Sequence, residues 1–246
     1  MKQKQSAEMT GQRAPETASQ WMLLFRQDRC TGCGACVVAC LAWNGKVTSR
    51  TGECEPQLLE YRNADTMRVI HGAKRLSLEC REEGTDPMHL KRSYLPKLCM
   101  HCTTPACLEA CPAGVLEKEP EYGSVRFRNL NACIGCRKCQ EACPWGIPGI
   151  EQVFPEDGEK KKRGQISKCD LCADRLLRGL KPACVAACPL RALEAGPAPE
   201  LLKKYPEAVS AGEVFKKSRP AGSNACDPNF RVLLKDRGGF RTQLII

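Results

Sequence analysis

The chain has 246 residues, a formal charge of +10, 19 cysteines, 3 histidines and few aromatic residues (6 Phe, 3 Trp, 4 Tyr). An odd cysteine count in a chain of this length does not suit the disulfide framework of a small secreted domain. No run of about 18 apolar residues is present to span a membrane, and no C-x-x-C pair is followed by the His that covalent haem attachment requires.

Residues 1–20 are polar and aperiodic and read as a disordered tail. The apolar run Trp21–Phe25 has strand character and leads into Cys30, Cys33, Cys36 and Cys40, spaced x2, x2, x3. Residues 41–95 carry charges and turn residues without the cysteine pattern, and read as an insertion packed on the outside. Cys99, Cys102, Cys107 and Cys111 follow, spaced x2, x4, x3, with Pro112 next. A second strand-like segment, SVRFR, precedes Cys133, Cys136, Cys139 and Cys143, again x2, x2, x3, followed by Pro144. The run EKKKRG at 159–164 reads as a solvated loop. Cys169, Cys172, Cys184 and Cys188 form the fourth group, spaced x2, x11, x3, with Pro189 after it. Beyond 196 there is no further cysteine group, and 197–246 reads as a docking extension with a final strand-like RVLLK. Cys54, Cys80 and Cys226 stand outside the four groups and read as plain thiols, with a Cys54–Cys80 disulfide after export as the lesser option.

The spacing x2, x2, x3 followed by proline is that of bacterial ferredoxins. Three cysteines on a tight loop wrap one face of a cubane. The fourth is expected near the start of a short helix, directed at a neighbouring cluster, and proline after it cannot donate to a continuing helix. Gly32, Gly34 and Gly135 allow positive φ in these loops, which frees N–H groups to face cluster sulfur. Zinc is the competing reading, since C-x-x-C pairs also build zinc sites. A zinc site takes two separated pairs, whereas Cys30, Cys33 and Cys36 crowd three thiols on one loop. Groups one and four bracket groups two and three, so the simplest exchange of fourth cysteines pairs outer with outer and inner with inner. The expected fold is α+β, with two bacterial-ferredoxin-like dicluster domains, one inserted in the other, and loop-rich extensions. The expected boundaries are 21–40 plus 165–196 for the outer domain, 41–95 for the insertion and 96–164 for the inner domain, with bound metal supplying much of the folding free energy.

A basic balance invites a nucleic-acid reading. Four oxidised cubanes with their thiolates would carry roughly −8, however, leaving the loaded chain near about +2. The surplus Lys and Arg therefore reads as compensation for cluster charge, with Arg137 and Lys138 inside CIGCRKC the clearest instance, and no nucleic-acid partner is expected. Neither a hydrophobic leader nor an Arg-Arg pair is present, so the chain is expected to carry no export signal of its own.

CTGCGACVVAC, CMHCTTPACLEACP, CIGCRKCQEACPWG and KCDLCADRLLRGLKPACVAACPLRALEAGP together resemble the four-cluster electron-transfer subunit of the dimethyl sulfoxide reductase family. The likeness runs from about Asp28 into the C-terminal region and is weak across 41–95. It implies one cluster on Cys30, Cys33, Cys36 and Cys188, and a second on Cys40, Cys169, Cys172 and Cys184. It implies a third on Cys99, Cys102, Cys107 and Cys143, and a fourth on Cys111, Cys133, Cys136 and Cys139. Some relatives lack a cysteine in the third group and carry a three-iron centre. Cys136 is present here, so four [4Fe-4S] clusters are expected.

The resemblance further implies a non-catalytic subunit acting in anaerobic respiration. It would relay electrons from a quinol-oxidising membrane anchor to a molybdopterin catalytic subunit that reduces dimethyl sulfoxide or related sulfoxides and N-oxides. The inner pair of clusters would lie nearer the membrane. Association with the membrane would run through these partners, on the extracytoplasmic face by co-export or, alternatively, on the cytoplasmic face. The rivals are the equivalent subunit of a formate dehydrogenase, a polysulfide or tetrathionate reductase or a hydrogenase-linked complex, and a zinc-stabilised interaction module. His101, between two ligands in CMHC, reads as a surface histidine or one packed behind the cysteines rather than an iron ligand, and no catalytic residue is expected.

Overall fold

The computed structural model describes residues 20–44, 62–64, 67–71, 75–83, 91–153, 162–215, 226–234, 236–237 and 240–241. The expected N-terminal tail and Cys54 lie outside these residues, apart from Gln20. In chain order the first elements are β1 (Trp21–Arg26), α1 (Ala35–Asn44), β2 (Arg62–Ala64), β3 (Met67–His71), β4 (Leu76–Glu83) and β5 (Lys91–Leu98). Next come α2 (Ala106–Glu109), β6 (Leu116–Lys118), β7 (Val125–Phe127), α3 (Lys138–Glu141), β8 (Gly149–Val153) and β9 (Lys162–Ser167). They are followed by α4 (Ala173–Leu176), α5 (Ala183–Ala186), β10 (Leu193–Pro197), α6 (Ala198–Lys204), β11 (Val209–Ser210), α7 (Ala211–Val214) and β12 (Phe230–Leu233). Short helices and small sheets are mixed throughout, as an α+β chain requires.

The strand β1 is apolar along its whole length because both of its faces are covered. Side chains alternate across a strand. Met22 and Leu24 therefore meet Leu201 and Tyr205 on the α6 side, while Leu23 and Phe25 enter the main core with Val37, Leu171 and Val185. The sheet around it runs β10-β1-β12-β11. β10 is antiparallel to β1 and β12 parallel, with Leu23 opposite Phe230. The segment expected to serve only as an extension thus supplies a central strand, and Phe230 and Val232 are fully buried in it.

A second sheet, β2-β3-β4-β5, lies in the segment 41–95 and just past it. The expectation of an external insertion needs correction for its last hairpin. Leu76, Leu78, Leu95 and Leu98 are buried in the same core as β1, with Leu76, Leu78 and Leu98 on one face of the β4–β5 ladder. The smaller hairpin β6–β7 and the residue Ile166 form a separate core of Val115, Leu116 and Val125 beside Cys107 and Cys139. Of the run at 159–164, Lys162–Gly164 begins β9, paired with β8, rather than lying in a loop.

The helices correct a further expectation. The third cysteine of each group, not the fourth, sits near a helix start: Cys107 in α2, Cys139 in α3 and Cys184 in α5 are each the second helical residue, as is Cys36 in α1. The fourth cysteine, one turn later, follows the end of the three short helices. A residue before proline is pushed out of the helical region, so these helices stop ahead of Cys111-Pro112, Cys143-Pro144 and Cys188-Pro189. Leu41 follows Cys40 instead, and α1 runs on for 10 residues.

Phe230→Ala should destabilise the fold by about 3–5 kcal/mol, the usual cost of emptying a fully packed aromatic site. The midpoint of denaturant unfolding followed by circular dichroism measures it, and a change within error would remove β12 from the core.

Candidate metal centres

Each C-x-x-C loop turns the same way. The residue before its second cysteine has positive φ in all four groups: Gly32 at 74°, His101 at 44°, Gly135 at 68° and Leu171 at 62°. A non-glycine residue there costs roughly 1–2 kcal/mol, so the loop geometry outweighs that strain at His101 and Leu171. The turn aims N–H groups back at sulfur: Leu171 N–H donates to Cys169 Sγ at 3.4 Å, and Gly32 N–H donates to Cys30 Sγ. Gly32 is further constrained by a close approach, since a Cβ there would lie 2.2 Å from the Tyr94 ring on β5.

The fourth cysteines share a second pattern, each accepting from the residue four positions on. Val115 N–H donates to Cys111 Sγ at 3.4 Å and Ala192 N–H to Cys188 Sγ at 3.1 Å. Ile147 N–H donates to Cys143. After Cys40 no proline follows, and the side-chain amide of Asn44 takes the role, with Nδ2 at 3.7 Å from Cys40 Sγ.

The sixteen grouped cysteines gather into four sets. Cys30, Cys33, Cys36 and Cys188 line one cavity. Cys40, Cys169, Cys172 and Cys184 line a second. Cys111, Cys133, Cys136 and Cys139 line another. Cys99, Cys102, Cys107 and Cys143 act electrostatically on one another in the remaining set, with Cys226 beside Cys102 and Cys143. This is the third set, and the Cys111 set is the fourth. A zinc ion would draw its thiolates to about 2.3 Å from one point. Among the described residues no three His, Cys, Asp or Glu side chains converge so closely. Four thiols lining one cavity from two sequence groups, with N–H donors turned toward sulfur, fit a four-iron cubane.

Burial dominates the acidity of these thiols. It pushes Cys36 and Cys107 up to about 12, and Cys40 and Cys139 up to about 11, with neighbouring thiolates adding to the rise. Cys169 and Cys184 are held well above the ordinary thiol range for the same reason. At neutral pH these side chains are therefore protonated until metal displaces the proton.

The charges around the sets differ. At the second cavity Arg75 donates to Asn44 Oδ1 at 2.9 Å and pairs with Asp170 at 3.1 Å, so its charge is largely answered. Arg137 lines the fourth cavity but is exposed, as is Lys138. The buried cation is one that the sequence pattern did not single out. Lys168, the residue directly before Cys169, is fully buried. A lysine abutting a cysteine motif was the available signal. His101 is buried, not at the surface. Its Nδ1 accepts from Val125 N–H at 3.0 Å, which puts the ring proton on Nε2. Burial, helped by Lys168 and Lys118, holds it well below the usual histidine range. Cys80 is buried on β4 opposite Tyr94. Nothing in the sequence links Cys226 to the third set. The residues after it make that link, because Thr103 N–H donates to Asp227 O and Asn229 N–H donates to Met100 O.

A family model described as a 4Fe-4S dicluster domain matches residues 90–198, and a 4Fe-4S binding domain matches 27–43. The protein is 34% identical to the B subunit of the anaerobic dimethyl sulfoxide reductase of Escherichia coli, over 76% of its own length and 78% of that subunit. It belongs to the family of dimethyl sulfoxide reductase B subunits. It is also 33% identical to the B subunit from Haemophilus influenzae over the same shares of both proteins. The iron–sulfur subunit of the nitrate-inducible formate dehydrogenase of Escherichia coli is 33% identical, over 74% of this chain and 55% of that one. The family and its 4Fe-4S domains support binding of such clusters here. Among the described residues no helix is long and apolar enough to cross a membrane.

Gly32→Ala should cost the protein one cluster's worth of iron, because the new methyl meets Tyr94 and the backbone resists positive φ. Adding Tyr94→Ala should restore part of it, measured as iron per chain, whereas no recovery would mean that backbone strain alone decides. Loading should release protons and run further in mildly alkaline than in mildly acidic buffer, since the raised thiols must ionise first. Uptake independent of pH would show thiolates already formed.

Proposed function

We propose that the chain is a non-catalytic relay holding four [4Fe-4S] clusters on the four cysteine sets. The ligands are Cys30, Cys33, Cys36 and Cys188; Cys40, Cys169, Cys172 and Cys184; Cys99, Cys102, Cys107 and Cys143; and Cys111, Cys133, Cys136 and Cys139. Such clusters, when bound, supply one-electron redox centres. The protein's own part is to hold the sulfur ligands, shield them from water and set hydrogen bonds and charge around them. The observation that carries this reading is the crossing: each set joins three cysteines of one sequence group to the fourth cysteine of another. Within each group the third and fourth cysteines, four residues apart, would thereby hold two neighbouring centres, as a conductor of electrons needs. The crossing also supports an outer domain of 21–40 with 165–196 and an inner domain of 96–164 inserted in it.

The partners in this reading are a molybdopterin catalytic subunit that reduces dimethyl sulfoxide or related sulfoxides and N-oxides, and a membrane anchor that oxidises quinol. Family membership supports it, with B subunits of dimethyl sulfoxide reductases matched over 78% of their length. Membrane attachment would run through those partners, on the extracytoplasmic face. A second reading, service to a formate-oxidising enzyme, is favoured by the comparable identity to the formate dehydrogenase subunit. Co-purification separates them: the catalytic partner either reduces dimethyl sulfoxide or oxidises formate.

The anaerobically purified protein should carry about 16 irons, and Cys136→Ser should convert or remove one centre while the others keep their paramagnetic signals. Colourless protein holding about four zincs would refute the relay.

A further inference from the structure

Lys168 lies at the junction of the second and third sets. Its Nζ donates to Cys169 O at 2.8 Å, to Cys99 Sγ at 3.7 Å and to Val125 O. An ammonium has three N–H donors, and these three acceptors account for all of them. The group also lies 5.6 Å from the centre of the Phe127 ring. Its exposure is 0%, and among the described residues no carboxylate pairs with it. Asp170, two residues further on, is engaged by Arg75.

A buried ammonium with no counter-charge is costly and is normally paired. Two of its acceptors are neutral carbonyls, so among the described residues the hydrogen-bonded group that can become anionic is the Cys99 thiolate with whatever charge it ligates, and Lys168 also acts on the Cys107 thiol of the same set. The contact is uneven between the two sets. Lys168 touches Cys99 through sulfur, but touches Cys169 only through its carbonyl, while the Cys169 sulfur accepts from Leu171 N–H. The third set has a second cation close by. Lys118 donates to Cys102 O and Thr103 O, both at 2.9 Å, and to Gln20 at 3.3 Å. It holds the loop rather than the sulfur.

We propose that Lys168 is a fixed positive charge that raises the reduction potential of the cluster held by Cys99, Cys102, Cys107 and Cys143. It thereby sets the electron's standing at the passage between inner and outer pairs. The inference rests on the relay reading above. When one electron leaves a neighbouring centre and enters this one, the negative charge beside Lys168 grows by one. The attraction in a low-dielectric site then favours the reduced form. No bond is made or broken in the protein, and Lys168 need not exchange a proton.

The test is a redox titration of the purified complex by low-temperature paramagnetic resonance, with iron counted in each sample. Wild type is compared with Lys168→Met, Lys168→Gln and Lys168→Arg, and Cys99→Ser identifies the signal of the third set. Both neutral variants, with iron retained, should shift that signal's reduction equilibrium at least tenfold toward the oxidised form, a fall of about 59 mV for one electron. Lys168→Arg should return it, and the signal lost in Cys133→Ser should move less. Iron loss in the neutral variants alone, with iron and midpoint kept in Lys168→Arg, also supports the proposal, because charge is then what the two competent residues share. Full iron with an unmoved midpoint overturns it, as does a shift confined to another centre. Iron loss in all three variants would make Lys168 a structural strut and overturn it as well. A wild-type complex without four-iron signals would instead overturn the relay reading itself.

Discussion

Sulfur taken out of water beside other sulfur has to be answered by donors and by positive charge, and the local backbone is arranged around that requirement. Every thiol set is partly or wholly buried, and burial, with neighbouring thiols adding to it, makes several of these thiols very weak acids. The backbone responds by turning N–H groups inward, which needs positive φ at one position of each C-x-x-C loop. Where glycine occupies that position the turn costs little. At His101 and Leu171 the strain is tolerated because neighbouring contacts fix the loop, including the Val125 N–H bond to the His101 ring.

The same requirement explains how the four groups differ. Three end in proline, so their helices stop early and free a backbone N–H four residues on to meet the crossing cysteine. The first group lacks that proline, its helix continues, and backbone N–H groups are committed to helical bonding. Asn44 supplies a side-chain amide in their place, and its oxygen in turn anchors Arg75. The hairpin β4–β5 takes part through Tyr94, whose ring fills the space that Gly32 leaves open. The first cavity is thus shaped by a segment that carries none of its thiols.

Charge is distributed unevenly among the sets. Arg75 is neutralised by Asp170 beside the second cavity, and Arg137 faces solvent at the fourth. Lys168 alone brings a buried, carboxylate-free cation to a thiol among the described residues. Cations spread over the surface would be screened within about 10 Å at 0.1 M salt. One buried ammonium is not, and it can distinguish centres that are otherwise alike in ligand chemistry.

Local spacing by itself determined the cysteine groups, their cluster chemistry and the strand-like run Trp21–Phe25, because in the first and third groups three thiols within seven residues must share one loop and a continuous apolar run must be covered on both faces. The positive φ of Gly32 and Gly135 was legible for the same local reason. The tertiary structure decided what depends on distant segments meeting. It brought β12 beside β1, Leu76 and Leu98 into the main core, and Cys226 next to Cys102. It also decided that the buried cation is Lys168 rather than Arg137 or Lys138. All three sit beside cysteines in the sequence, and only burial, which is a property of the packed whole, separates a charge that acts on sulfur from one that water screens.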